Sequence, residues 1–559
     1  MMKKLLFSLA GVLFTLPLSA QPKLVLQITV DQLRADLPTR FMDRMGDDGF
    51  AWLYREGIVY RDAHHAHANT ETIVGHVTLS TGADPAAHGM VGNVWYDRGL
   101  GRLVYNIEDA RYELLTAGAG VDQETEIDPT QRAAKVTGRS PANIEVTTIA
   151  DEISIHTAGQ AKVFGVSVKD RGAVAMAGHS GKAFWFSKQS GDFVTSTFYY
   201  DSYPEWVTAW NATQPIAKYD SASWELLHDQ STYLYGDMDD AEWETDFPGY
   251  GRTFPHPFGP MDGKYFTTLL TLSPAGDELT LDFAKTLIEK EQIGADAVTD
   301  YLAVSFSSTD YVGHIFGPSS LEMEDNLLHL DRYIADLLSF VDEQVGLENT
   351  LVVLSADHGG PEVPGYLNTM GIEARYMEPE TWDREAGIER LKEQFGIGEE
   401  LITEYFHPYL YLNHEAIEEN GLDLADVQEA VAMELMKFDG IAMAATSEAI
   451  IEGDLPDTLV TRAILRNHHL RRSGDIFIVF EPHAFINDFD GLTVASTHGS
   501  PWRYDTHVPI IFAGLDLAPA TIDCSVHTVD VARTIAAFLE TKPPSGASGN
   551  VLTEVTQNQ

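Results

Sequence analysis

Four short apolar runs mark the chain between residues 24 and 355, and each gives way to residues that can carry charge or hold a metal. Leu24 to Val30 ends at Asp31, and the run from Lys162 to Val168 ends at Lys169-Asp170-Arg171. Leu302 to Ser307 leads to Asp310 and His314, and Leu351 to Ser355 leads to Asp357-His358. Apolar, β-branched segments of this length without polar alternation read as strands buried on both faces. Val508 to Ala513 is read as the last strand. A different period follows Leu321, where Leu327, Leu330, Ile334, Leu337, Leu338 and Val341 recur at three- and four-residue spacing. That stripe predicts one long amphipathic helix to about Val345, and a second, closing helix is expected over 529–539. Strands separated by helices predict an α/β fold with a mostly parallel central sheet flanked by helices.

Two stretches break this rhythm. Residues 181–270 are rich in Trp, Tyr, Phe and Gly and read as an irregular insertion whose aromatics pack, with a short strand suggested by Ala183-Phe184-Trp185-Phe186. Residues 371–489 read as a small α+β insertion, with strands near 409–412 and 476–480 and a helix over 426–437. The core is therefore expected to comprise 21–370 and 490–545, with a loose tail at 546–559. No internal repeat or low-complexity tract is present.

The N-terminus adds a destination. Met1-Met2-Lys3-Lys4, an apolar segment from Leu5 to Leu18 and the site Leu18-Ser19-Ala20 have the form of a signal peptide over 1–20. A periplasmic or secreted protein without a membrane anchor is expected. Cys524 is the one cysteine, so no intramolecular disulfide can form. A net charge of −47 disfavours nucleic-acid duplexes and anionic membranes as partners. It also means that an anionic substrate needs a locally positive pocket, which bound cations can supply.

The candidate chemistry converges at the strand ends. Carboxyl ends of parallel strands meet at one edge of a sheet, so Asp31, Lys169, Arg171, Asp310, His314, Asp357 and His358 can gather although far apart in sequence. Adding His498 gives three Asp and three His, enough for two divalent ions with three protein ligands each and open positions for substrate. Mixed nitrogen and carboxylate donors suit Zn²⁺ better than Mg²⁺ or Ca²⁺. Lys169 and Arg171, two apart on an extended segment, could grip an anion together. Asn69-Thr70-Glu71-Thr72 runs into a helix-compatible segment ending at Gly82, placing Thr72 where backbone N–H groups favour an anion or simply a cap. Asn93 is delivered by a glycine-rich turn. His64-His65-Ala66-His67 is set aside as loop histidines without a carboxylate partner or a strand end, and His507 as a lead into the last strand.

These motifs together resemble the alkaline phosphatase superfamily, and within it the exported, phosphate-irrepressible enzymes with a threonine nucleophile, which are related to nucleotide pyrophosphatase/phosphodiesterases. The resemblance rests on Val30 to Arg34, Asn69 to Gly82, His88 to Asn93, Lys169-Asp170-Arg171, Asp310 to His314, Ser355 to Gly359 and His498 to Pro509. It implies an alkaline-phosphatase-like core and two Zn²⁺ per chain. Asp31, Asp357 and His358 would hold one ion, which Thr72 also approaches, and Asp310, His314 and His498 the other. It further implies hydrolysis of phosphate monoesters through a phosphothreonine at Thr72, with Asn93, Lys169 and Arg171 on the phosphoryl oxygens. The expected partners are small phosphorylated metabolites, met by a monomeric chain. Val74 stands where relatives commonly carry proline. The alternatives are a phosphodiesterase, nucleotide pyrophosphatase or phosphonate hydrolase on the same scaffold, and a non-catalytic periplasmic zinc/phosphate-binding protein. A sulfatase lacks its Cys/Ser-x-Pro-x-Arg motif here.

Overall fold

The computed structural model describes residues 21–489 and 492–557. The expected signal peptide at 1–20 lies outside the described residues.

A nine-stranded sheet runs through the molecule. From one edge its order is Ala520–His527, Ile58–His64, Ile510–Gly514, Thr350–Ser355, Leu24–Val30, Asp300–Phe306, Val163–Ser167, Lys182–Phe186 and Phe193–Val194. The five central neighbours from Thr350–Ser355 to Lys182–Phe186 are parallel. Their register is flush at the carboxyl ends: Val30 pairs with Phe306, Thr29 with Ser355 and Ser305 with Ser167. The α/β class with a mostly parallel sheet holds.

Alternation along each strand explains the layers, because successive side chains point to opposite faces. Leu24, Leu26, Ile28 and Val30 face one apolar cluster, which also takes Phe283 and Leu287 from the helix Pro274–Glu291. Val25 faces the other side, with Ile149, Ile153, Val531 and Ile535 from two further helices. The long helix spans Leu321–Gln344, capped by Ser320 on the Met323 N–H, and all six residues of its predicted stripe are buried.

Four features differ from the sequence reading. Lys182–Phe186 is a parallel strand of the main sheet, so the core continues past residue 181; the aromatic stretch beyond it packs Phe193 and Trp210 against Phe283. The strand Ile510–Gly514 is antiparallel to its neighbours and is not the last, since Ala520–His527 closes that edge. Residues 546–557 are not loose. Leu552 and Val555, three apart, bury against the helix Asp530–Phe538, and the Ser548 and Leu552 N–H groups donate to Gly82 O and Thr534 Oγ1 at 2.8 and 2.9 Å. Lys169 occupies the N-cap position of the helix Asp170–Ala177, so Arg171 lies inside a first helical turn and not on an extended segment.

Between 371 and 489 the chain folds a separate four-stranded antiparallel sheet, ordered Ile402–Phe406, Tyr409–Leu412, Ile476–Phe480, Ile441–Thr446. It has its own apolar cluster around Trp382, Ile388, Val431 and Ile478.

Candidate active site

The helix Thr72–Thr81 starts with Thr72 itself and stops at Gly82, whose φ of 65° is the left-handed C-terminal conformation glycine favours. Val74 lies in its first turn, buried, where the helix forms without proline. The helix presses on the Asp357 loop so closely that a Cβ on Gly75 would lie 1.8 Å from the Asp357 carbonyl oxygen. Thr70 and Thr72 part company here. Thr70 Oγ1 donates to Ser500 O at 3.0 Å, whereas Thr72 Oγ1 lies 3.4 Å from Arg171 Nη2 and faces the cavity.

Three of the predicted ligands form one tight group. Asp310 Oδ1 is 3.3 Å from His314 Nε2 and 3.2 Å from His498 Nε2. The other expected ligands also lie together. Asp31, Asp310 and His358 lie within metal-sharing distance of one another, and Asp357 stands alongside rather than in that cluster. His358 Nε2 is 3.4 Å from both Asp31 Oδ1 and Asp357 Oδ2, while Asp357 Oδ2 also lies 3.1 Å from His76 Nδ1. Asp310 thus stands within reach of both groups.

The donor set fits metal ions. His314, His358 and His498 each direct Nδ1 at a backbone carbonyl, of Ser496, Gly359 and Thr70, at 2.8 Å in all three cases. A carbonyl only accepts, so each Nδ1 carries the proton and each Nε2 is left as the electron-pair donor. Asp31 Oδ1 and His358 Nε2 are buried without a hydrogen bond among the described residues, 3.4 Å from each other. Buried polar atoms of this kind call for a cation.

The electrostatics say the same. Burial opposes a charge on Asp31, but the Lys169 ammonium, 2.8 Å from Oδ2, holds its carboxyl well below the ordinary range. Asp310 is also held low despite burial, by His314 and by Lys169, whose Nζ contacts Asp310. Burial, reinforced by the charge of Asp31, raises Asp357. Burial alone would lower His358, yet the Asp357 and Asp31 carboxylates push it up to about 9. Lys169 thus bridges Asp31 and Asp310, while Arg171 pairs through Nη1 with Asp128 Oδ2 at 2.8 Å and turns Nη2 toward Thr72. Asn93 Oδ1 accepts the Ile73 N–H at 3.0 Å, which locks this amide to the start of the Thr72 helix.

Several working residues carried little signal in the sequence. Gln32 adopts φ 63°, a strained value for a non-glycine, and uses it to donate from its backbone N–H to Asp357 and from Nε2 to Asp310, both at 3.1 Å. The neighbouring Gly313 leaves room for this side chain, since a Cβ there would meet Gln32 Oε1 at 1.7 Å and push it off its partners. His76, one turn after Thr72, bonds Thr72 O and Ser305 Oγ at 2.8 and 2.9 Å, and this i, i+4 spacing was legible. Asp128, from a distant loop, had none. One discounted tract also reads differently. His64 ends a strand and has a carboxylate partner, Asp62, at 3.1 Å, with His507 stacked on it. The Arg503 guanidinium sits against this group, 3.2 Å from Asp62 Oδ1 and 3.1 Å from His64 Nε2, and supplies its cation.

Thr72, Asn93, Arg171, Asp310, His314 and His498 open into one cavity of about 680 Å³. Its far wall comes from the 371–489 insertion, through Ile402, Tyr405, Phe406, Phe480 and Phe485.

A family model for type I phosphodiesterase/nucleotide pyrophosphatase matches residues 25–501. The chain belongs to this family. It is 33% identical to alkaline phosphatase PhoV of Synechococcus elongatus, over 96% of this chain and 93% of that one. It is likewise 33% identical to alkaline phosphatase PafA of Elizabethkingia meningoseptica, over 96% and 94%. A Myroides odoratus protein named as a calcium-transporting ATPase is 35% identical over 96% and 95%; among the described residues of this chain no helix is long and apolar enough to cross a membrane. A crystal structure of PafA superposes with a TM-score of 0.86 at 31% identity, covering 96% of this chain and 99% of that one. A second PafA structure is of a variant with a threonine, an asparagine, a lysine and an arginine replaced together.

Proposed function

We infer that this family member hydrolyses phosphate monoesters, using Thr72 as nucleophile. The observation that carries the reading is the placement of Thr72 Oγ1 at a helix start, facing Arg171, in one cavity with two carboxylate–histidine groups. The four residue types replaced in the PafA variant, and the phosphatase names of relatives matched over nearly their whole length, support it.

Asp310, His314 and His498 would hold one zinc ion, and Asp31 and His358, with Asp357 beside them, a second. When bound, such ions supply Lewis-acid charge that ionises a hydroxyl and neutralises a leaving oxygen. The chain's own residues do the rest. The free N–H groups of the Thr72 helix, the Arg171 guanidinium and the Asn93 amide receive the non-bridging oxygens, whose charge is stabilised by preorganised donors. Thr72 Oγ1 bonds to phosphorus as the ester oxygen leaves, taking up the proton the threonine loses. Water then cleaves the phosphothreonine and releases inorganic phosphate. Lys169, fixed between Asp31 and Asp310, keeps these carboxylates ionised. The cavity is far larger than a phosphate, so it suits small phosphorylated metabolites with organic leaving groups. Export to the periplasm or medium is part of the proposal and rests on residues 1–20.

A monoester presents three charged oxygens and a diester two, so Arg171 should matter more for the former. Turnover of an aryl phosphate and its matching diester by Arg171→Ala tests this. The expected loss is about 10²- to 10³-fold on the monoester and much less on the diester. Equal losses would favour a diesterase.

A further inference from the structure

We propose that Asn467, in the 371–489 insertion, is a positioning residue that sets the nucleophile loop from outside the catalytic core. The inference rests on the monoesterase reading above. Asn467 is the last residue of the helix Leu459–Asn467 and is fully buried. In sequence it stands 398 positions from Asn69, which it touches. Its Oδ1 accepts the Asn69 N–H at 3.0 Å, and its Nδ2 donates to Val91 O at 3.2 Å and to Tyr409 Oη at 2.8 Å. One amide thus ties together two core segments, 69–72 and 89–93, and anchors both to a tyrosine of the insertion's own sheet.

Within the core the connection runs on from Asn69, atom by atom. Asn69 Nδ2 donates to the same Val91 O at 2.9 Å and to Glu71 Oε2 at 3.1 Å. Glu71 Oε2 also accepts the Asn93 N–H at 2.7 Å, and Asn93 Oδ1 accepts the Ile73 N–H at 3.0 Å. The path ends at the helix start that carries Thr72. There is no slack at its centre, because a Cβ on Gly92 would stand 2.9 Å from Glu71 Oε2. Every group in the path is buried, so each bond lost leaves an unsatisfied partner instead of one that water can repair. Removing the Asn467 amide frees the Asn69 N–H and one acceptor site of Val91 O, and the 89–93 segment loses its register against the Thr72 loop. A displacement of about 1 Å in a reacting group can cost on the order of 10²-fold in rate.

The test is a double-mutant cycle in the full-length, zinc-loaded enzyme, with Asn467→Ala, Asn93→Ala and both together. Acting through Asn93, Asn467→Ala should lower kcat by about 10- to 100-fold with little change in KM, and should cost much less in the Asn93→Ala background. Gln428→Ala is the structural control. Gln428 is likewise buried in the insertion but bonds only within it, to Ser447 Oγ at 3.0 Å and Asp475 Oδ1 at 3.1 Å, so its loss should lower Tm and leave kcat alone. Equal losses from Asn467→Ala with and without Asn93, or a wild-type kcat, would overturn the proposal. If Asn467→Ala does not fold, Asn467→Ser and Tyr409→Phe take its place in the same cycle and are read by the same two outcomes. Turnover surviving in Thr72→Ala would instead sink the underlying monoesterase reading, so the two failures are distinguishable.

Discussion

The strand ends of the main sheet and the 371–489 insertion build the same cavity by opposite means. The strand ends supply every candidate metal ligand except Thr72 and His498 within a few residues of an apolar run, and the flush parallel register brings them together. The insertion offers no ligand among its described residues. It closes the cavity with Tyr405, Phe406 and Phe480 and reaches back with single side chains: Asn467 to the nucleophile loop, and His407, whose Nε2 meets Gly499 O at 2.8 Å, to the segment beside His498. The lesson is one of division. Chemistry sits on the rigid parallel edge, where position is fixed by backbone pairing, and adjustment of that chemistry is left to an element with a sheet and core of its own.

Substitutions at the strand edge should break function and those around it should only detune it. Thr72→Ala is expected to have the largest effect, a loss of turnover of at least about a thousandfold, measured on an aryl phosphate with zinc content unchanged. Chelation should abolish activity and also lower Tm, because ions bound only by the folded state stabilise it; return of zinc should restore both. A melting curve indifferent to chelator would argue against buried metal at Asp31 and Asp310. Asp128→Asn should be intermediate. Arg171 would keep its charge but lose the carboxylate 2.8 Å from Nη1, for a drop of about 10- to 100-fold confined to kcat/KM on monoesters. The smallest effect is expected far from the site. The Asp151 hydrogen bond raises His179 above its usual value near 6.5, against the opposing pull of burial. A raised folded value means the stabilisation is complete below the unfolded value and fades as pH rises through the folded one. The Tm difference between wild type and His179→Asn should therefore be greatest near pH 6 and shrink by pH 9, with activity unaffected at either.

The main sheet was readable because burial on both faces leaves continuous apolar runs, and because the ligands follow those runs directly. Asp31, Asp310, His314, Asp357 and His358 could be picked out for that reason, and the long helix for its period. Lys182–Phe186 was readable as a strand but not as part of the main sheet, since an aromatic strand beside aromatic loops has no contrast in pattern. The pinned C-terminal segment rests on two apolar residues three apart, too few to register as a periodic signal.

Local pattern decides which residues can form a strand, cap a helix or donate to a metal, and here it singled out the candidate ligands and Thr72. It cannot decide distances between segments that meet only in the folded chain. That Asp310 stands within reach of both candidate groups, that Lys169 bridges Asp31 and Asp310, that Gln32 bridges two carboxylates and that an asparagine at 467 touches the loop before Thr72 were decided by tertiary packing alone, because those contacts join positions whose separation in sequence carries no period at all.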